Sequence, residues 1–139
     1  MVAVQVRHYL IRARDFLKGM NLMQDDLNEF GYSTALLGIH GSLSYCDALR
    51  TGLGSKNLSF DDHSRATDEL KALLAARKYE RLQGTDRLRK LLGKKSRIAY
   101  SGDVVDANEI KQIVQHAFRF AEWAEETGKR LKIEGWRDE

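Results

Sequence analysis

The stretch Lys94-Lys95-Ser96-Arg97-Ile98-Ala99-Tyr100-Ser101-Gly102-Asp103 decides how this chain is read. It closes a run, Arg87 to Arg97, in which Arg87, Arg89, Lys90, Lys94, Lys95 and Arg97 are basic and no position is acidic. Ser101-Gly102-Asp103 then breaks the helical pattern, and the longest amphipathic run of the chain resumes beyond it. The spacing predicts an electropositive helix end facing a loop.

On the C-terminal side, Asp106 and Glu109 form a capping-box-like pair. Ile110, Ile113, Val114, Ala117, Phe120, Ala121, Ala124 and Leu131 extend the apolar stripe of a last long helix, with Trp123 filling a gap or a partner groove. On the N-terminal side, Leu88, Leu91, Leu92 and Ile98 carry a short basic helix. It follows a break at Gln83-Gly84-Thr85-Asp86 with Thr85 or Asp86 as N-cap. Helix three is expected to open at the Ser59 and Asp62 capping pair and to run on Ala66, Leu70, Leu73 and Leu74. The loop from Thr51 to Asn57 precedes it. Helix two, Tyr32 to about Arg50, carries Ala35, Leu36, Ile39, Leu43, Cys46 and Leu49 on one face. Its Gly38, Gly41, Ser42, Ser44 and Ala48 allow a neighbouring helix to approach closely, within the chain or across a dimer seam. Helix one repeats Val6, Leu10, Ala13, Leu17, Met20, Met23, Leu27 and Phe30 every three or four residues, with Gly31 as its stop.

No proline interrupts any of these helices, and no strand-like alternation competes with them. The expected fold is all-α: an antiparallel helical bundle of four to five helices. One domain occupies residues 1–134, and 135–139 form a frayed C-terminal tail. A length of 139 residues, 42% hydrophobic and 31% charged, suits a globular chain rather than a disordered one. The net charge of +3 is small, so the distribution of charge matters more than its total. Cys46 is the only cysteine, which excludes an intramolecular disulfide and any CxxC motif. Arg7, Arg12 and Arg14 interrupt what would be a secretory apolar segment. The uncharged run Phe30 to Cys46 is shorter than the ~20 apolar residues of a membrane span. A cytoplasmic protein is expected, with no membrane partner. His40, His63 and His116 have no metal-ligand spacing, and phosphate-loop, dinucleotide and nucleophile-elbow motifs are missing. No metal or cofactor is expected.

Lys95 and Tyr100 stand five apart at the entry to the loop. With the helix order, Asp62-His63 at the opening of helix three and Ala117-Phe118-Arg119-Phe120-Ala121 in the last helix, this region resembles the HEPN family of helical, commonly dimeric bundles. Its ribonuclease members carry an arginine, usually followed by a polar residue, and a histidine five positions after the arginine, just before the last long helix. Lys95 stands where the arginine would be and Tyr100 where the histidine would be. The resemblance implies an HEPN-like homodimer that contacts RNA or nucleotide phosphate through Lys94, Lys95, Arg97 and Tyr100. The departure bears on catalysis. Lysine holds a phosphate as a point charge without the guanidinium fork, and tyrosine, with an ordinary pKa near ~10, shuttles protons poorly at neutral pH. Weak or absent nuclease activity is therefore expected.

Two alternatives stay open. One is a metal-independent ribonuclease, the toxin of a toxin-antitoxin pair, with Lys95 and Tyr100 as working catalytic substitutes. The other is a non-catalytic interaction subunit whose helices two and five dock a nucleotidyltransferase-type protein. His40 and Asp47, seven apart on helix two with Ser44 between them, either form a supporting relay toward Tyr100 or are polar residues satisfied within the bundle. Lys111 precedes His116 by five, but it falls inside a regular helix, away from the loop.

Overall fold

Val6, Leu10, Ala13, Leu17 and Met20 recur at helical spacing, and all five are buried on one side of the first helix. The computed structural model describes residues 1–56 and 63–138, so the Ser59 and Asp62 capping pair lies outside the described residues. The described elements are α1 (Val2–Met23), α2 (Leu27–Gly52), α3 (His63–Ala76), α4 (Gln83–Gly93), the single turn α5 (Lys95–Ala99) and α6 (Ala107–Arg130). No strand occurs among the described residues. The chain is a helical bundle, as its periodicity predicts.

The directions of the helices differ from a simple antiparallel arrangement. α1 and α2 do run antiparallel: Met20 meets Gly38, while Leu17, earlier in α1, meets Gly41, later in α2. α2 and α6 run parallel, because Gly31 meets Ile110, Gly38 meets Ala117 and Tyr45 meets Glu125. The segment α3–α5 returns the chain to the start of α2, where the Val105 N–H donates to the Tyr32 hydroxyl at 3.1 Å. Gly38 and Gly41 of α2 serve this intrachain packing. A Cβ at Gly38 would lie 2.8 Å from Met20 Sδ and 3.1 Å from Ala117 Cβ.

Several boundaries shift. Gly31 does not end helix one: α1 stops at Met23, and Asp26 opens α2 by accepting from the Glu29 N–H at 3.3 Å. Gly31 is buried inside α2, one residue past a kink at Phe30 (φ −120°, ψ 24°). α2 continues through Thr51 and Gly52, two residues expected to be loop. α4 begins at Gln83, with neither Thr85 nor Asp86 as cap, and the Thr85 hydroxyl donates to the Leu82 carbonyl at 2.7 Å. Gly84 is therefore not a break; it is the floor on which the Trp123 indole lies. The expected basic helix is two pieces, since α4 ends at Gly93 and Ile98 belongs to α5. α6 is capped as expected, with Asp106 accepting from the Glu109 N–H at 2.9 Å, but Leu131 lies just past its end.

The segment expected to fray is tied down through Trp136. Its ring stacks on Tyr45 with centroids 6.4 Å apart and covers Gly128, while its Nε1–H donates to Glu125 at 3.0 Å. Glu125 also accepts two bonds of 2.8 Å from Arg14 and one of 2.7 Å from the Tyr45 hydroxyl. Desolvation would raise this carboxyl, but those donors outweigh it and hold Glu125 below the ordinary range. The network joins α1, α2, α6 and the C-terminal segment.

Candidate functional site

Leu88, Leu91 and Leu92 turn one face of α4 into the core. That leaves Arg87, Lys90 and Lys94, three and four residues apart, in one row along the side of the helix. Gly93 ends α4, and the buried Ile98 anchors α5 against the bundle. Lys95 is the first residue of α5 and is half-buried, whereas Tyr100, just past its end, is 80% exposed.

The expected nucleic-acid residues are only partly assembled into one surface. Lys94 and Arg97 converge on Glu109 of α6, through Nζ at 3.1 Å and Nε at 3.1 Å. Arg97 also reaches Asp103 at 3.5 Å. The Lys94 bond, resisted by desolvation and reinforced by Arg97, holds the Glu109 carboxyl below its usual range. Arg89 is taken by Asp68 at 2.6 Å.

The pattern of residues one turn earlier leads to a group that sequence reasoning set aside. Arg87 Nη1 lies 2.7 Å from His116 Nδ1. A guanidinium carries only donors, so Nδ1 must accept, and the imidazole is the neutral tautomer with its proton on Nε2. Desolvation is the largest influence holding the His116 pKa down; Arg87, Lys90, Arg119 and Lys94 add to it. A recess of about 120 Å³ opens beside the ring between α4 and α6. Lys90, Lys94, Glu109, Gln112 and His116 line it over an apolar floor. The row Arg87, Lys90, Lys94 was visible in the sequence; the register that sets His116 against it was not. Lys111 lines a different recess with Gln24 and Asn108, so its spacing to His116 has no counterpart in space.

A pH prediction follows from the His116 geometry. With its native pKa depressed, His116 is neutral in the fold and takes up a proton more readily in the unfolded chain. The unfolded state then binds more protons, and stability rises with pH across that interval. Urea midpoints should fall as pH drops from the ordinary histidine value near ~6.5 through the lower native value. His116→Gln should flatten that part of the profile; an unchanged slope in the variant would refute the assignment.

Of the two readings of His40 and Asp47, the structure favours polar residues satisfied within the bundle over a relay toward Tyr100. Both lie on the α1 side of α2: the His40 ring is tilted against Phe16 with centroids 6.1 Å apart, and Asp47 feels the charge of Arg12. Asp47 accepts from Arg50 Nη1 at 3.2 Å, and the fully buried Arg50 also donates from Nε to Glu69 at 2.8 Å. Burial lifts the Asp47 carboxyl to about 6 despite the opposing pull of Arg50. These residues tie α2 to α3. Cys46 beside them is fully buried, and burial pushes its thiol pKa up, away from the reactive thiolate.

Among the described residues no group of three or more His, Cys, Asp or Glu could hold a metal ion, and no helix is long and apolar enough to cross a membrane. Set beside protein-family models, curated proteins and solved structures, the chain matches none of them.

Proposed function

We propose that this chain is an HEPN-like, homodimeric protein that binds RNA or nucleotide phosphate at the basic end formed by α4, α5 and the facing part of α6, with weak or absent nuclease activity. The observation that carries the reading is an excess of positive charge. Asp68 meets Arg89, and Glu109 is shared by Lys94 and Arg97, with Asp103 at the edge. Arg87, by contrast, is partnered by an uncharged imidazole. The exposed Tyr100 ring supplies a face on which a base can stack.

Lysines and arginines that neutralise phosphates release counterions, so affinity falls by about 0.7 log units per phosphate for each tenfold rise in salt on a single strand. Three such contacts correspond to roughly a 20-fold loss between ~50 and ~200 mM salt. Replacing Lys94, Lys95 and Arg97 together with alanine should lower the slope by about 2. Because the triple variant also uncovers Glu109, adding Glu109→Gln should restore part of the affinity without restoring the slope. Salt-insensitive binding, or none, would reject the reading.

The ribonuclease alternative draws support from one contact. An arginine and a histidine, the residue pair missing from the loop, stand 2.7 Å apart as Arg87 and His116. Metal-independent cleavage of RNA lost in His116→Gln would favour it over binding alone.

A further inference from the structure

The recess between α4 and α6 is small and carries two lysines, a glutamine and a histidine in its lining. At about 120 Å³ it has room for about four waters at ~30 Å³ each. A tetrahedral phosphate head fits such a volume; a nucleoside does not. An internal phosphodiester carries a nucleoside on each side and one negative charge, so it can lie across the mouth but not enter. A terminal monoester presents its head alone, and its charge is about −1.5 to −2 near neutral pH.

The lining suits that head. Lys90 and Lys94 border the recess from α4, Gln112 and His116 from α6. Since His116 Nδ1 accepts from Arg87, its remaining donor is Nε2–H, so the imidazole can donate to an anion without first being protonated. Arg87, Lys90 and Lys94 from α4 and Arg119 from α6 act on the ring as positive charges. Glu109 is the opposing carboxylate at the rim, and Lys94 and Arg97 already hold it. A dianion competes with Glu109 for Lys94 better than a monoanion does.

We infer that this α4–α6 recess seats a phosphate monoester, on a free nucleotide or at an RNA end, and discriminates against the internal diester. The inference rests on the reading of the basic end as a phosphate-binding surface and names the kind of phosphate it takes. Binding is linked to protonation. Desolvation and the neighbouring cations together keep the ring neutral, and a dianion beside His116 offsets the cations' share, so the ring's pKa rises when the recess is filled.

The test follows the His116 ring proton by NMR across pH, assigned with His116→Gln, in inorganic phosphate and in chloride of matched ionic strength. Phosphate should raise the His116 pKa by about one unit; Lys90→Ala, on the exposed rim, should shrink the rise, and Glu109→Gln should tighten phosphate binding. In parallel, a nucleoside 5′-monophosphate and one RNA oligonucleotide with a 5′-phosphate or a 5′-hydroxyl are titrated. The phosphorylated end should bind about tenfold more tightly, a difference of ~1.4 kcal/mol. A His116 pKa that ignores phosphate overturns the inference whatever RNA does. Equal affinity for both RNA ends overturns it too, and leaves the broader RNA-binding reading standing. A shift with phosphate and nucleotide but no binding of either RNA upholds the inference for free nucleotides and removes RNA from the proposed function.

Discussion

Replacing Arg50 with alanine should destabilise the protein by about 3–5 kcal/mol, as breaking a buried ion pair from one side does. That is a large share of the ~5–15 kcal/mol that holds a typical domain together. Arg50 has no exposed surface, while Asp47 and Glu69 retain 27% and 32% of theirs. Removing the guanidinium leaves two carboxylates facing a void at the junction of α2 and α3. The loss should depend on pH. Asp47, already lifted to about 6 by burial, loses the charge that opposes the lift, and its native pKa rises further. A raised native pKa means that the fold binds more protons than the unfolded chain, so the variant regains stability as pH falls. Urea unfolding at pH 5 and pH 8 checks this, with the smaller deficit expected at pH 5. Equal deficits would assign the loss to packing alone.

Trp123→Ala should cost a comparable ~3–5 kcal/mol. The indole covers Gly84 of α4, lies tilted against Phe120 with centroids 5.5 Å apart, and donates from Nε1 to the Arg81 carbonyl at 2.9 Å. Its loss opens a cavity between α4 and α6 and removes the ring that covers the glycine. Gly84→Ala attacks the same contact from the other side, because the new methyl group would overlap the indole; overpacking of this kind costs ~1–3 kcal/mol. In the double variant the methyl group enters space the indole has left. Its stability should lie near that of Trp123→Ala, with a coupling of about 1 kcal/mol or more. Strict additivity in the thermal or urea midpoints would show that the two residues do not share a contact. Both substitutions should also disturb the α4–α6 recess, whereas Arg50→Ala, at the α2–α3 junction, should leave phosphate binding intact at temperatures where the protein is folded.

How much of this was legible in the sequence depends on the range of the interaction. The faces of α1, α3 and α6 follow from local apolar spacing, and the Asp106 cap from a four-residue pattern. The α1–α2 boundary is misplaced in the sequence because Gly31 reads as a stop, while the Asp26 and Glu29 pair that opens α2 falls inside the apolar spacing of helix one. Gly84 likewise reads as a break until Trp123, far along the chain, is set on top of it. Whether α6 runs parallel or antiparallel to α2 has no local signature; it depends on how many times α3–α5 turn the chain. The same limit applies to the site. The basic row from Arg87 to Arg97 is a sequence property. That Glu109 neutralises part of it, and that His116 completes its opposite edge, are products of packing.

One consequence concerns the order of the helices. Gly135, at a φ of +90°, lies against the carbonyl of Ala3, and Trp136 is locked beside it. The first turn of α1 and the segment after α6 are therefore neighbours, and the path of the chain nearly closes on itself. A short bridge across that point would turn the bundle into a covalent circle, which could be reopened in the exposed Ser101–Gly102 turn. α6 would then come first in the chain and its parallel partner α2 would follow two helices later, with every core contact in place. The packing should then accept a second linear order of the same helices, because the contact of Gly135 with Ala3 brings the two segments together.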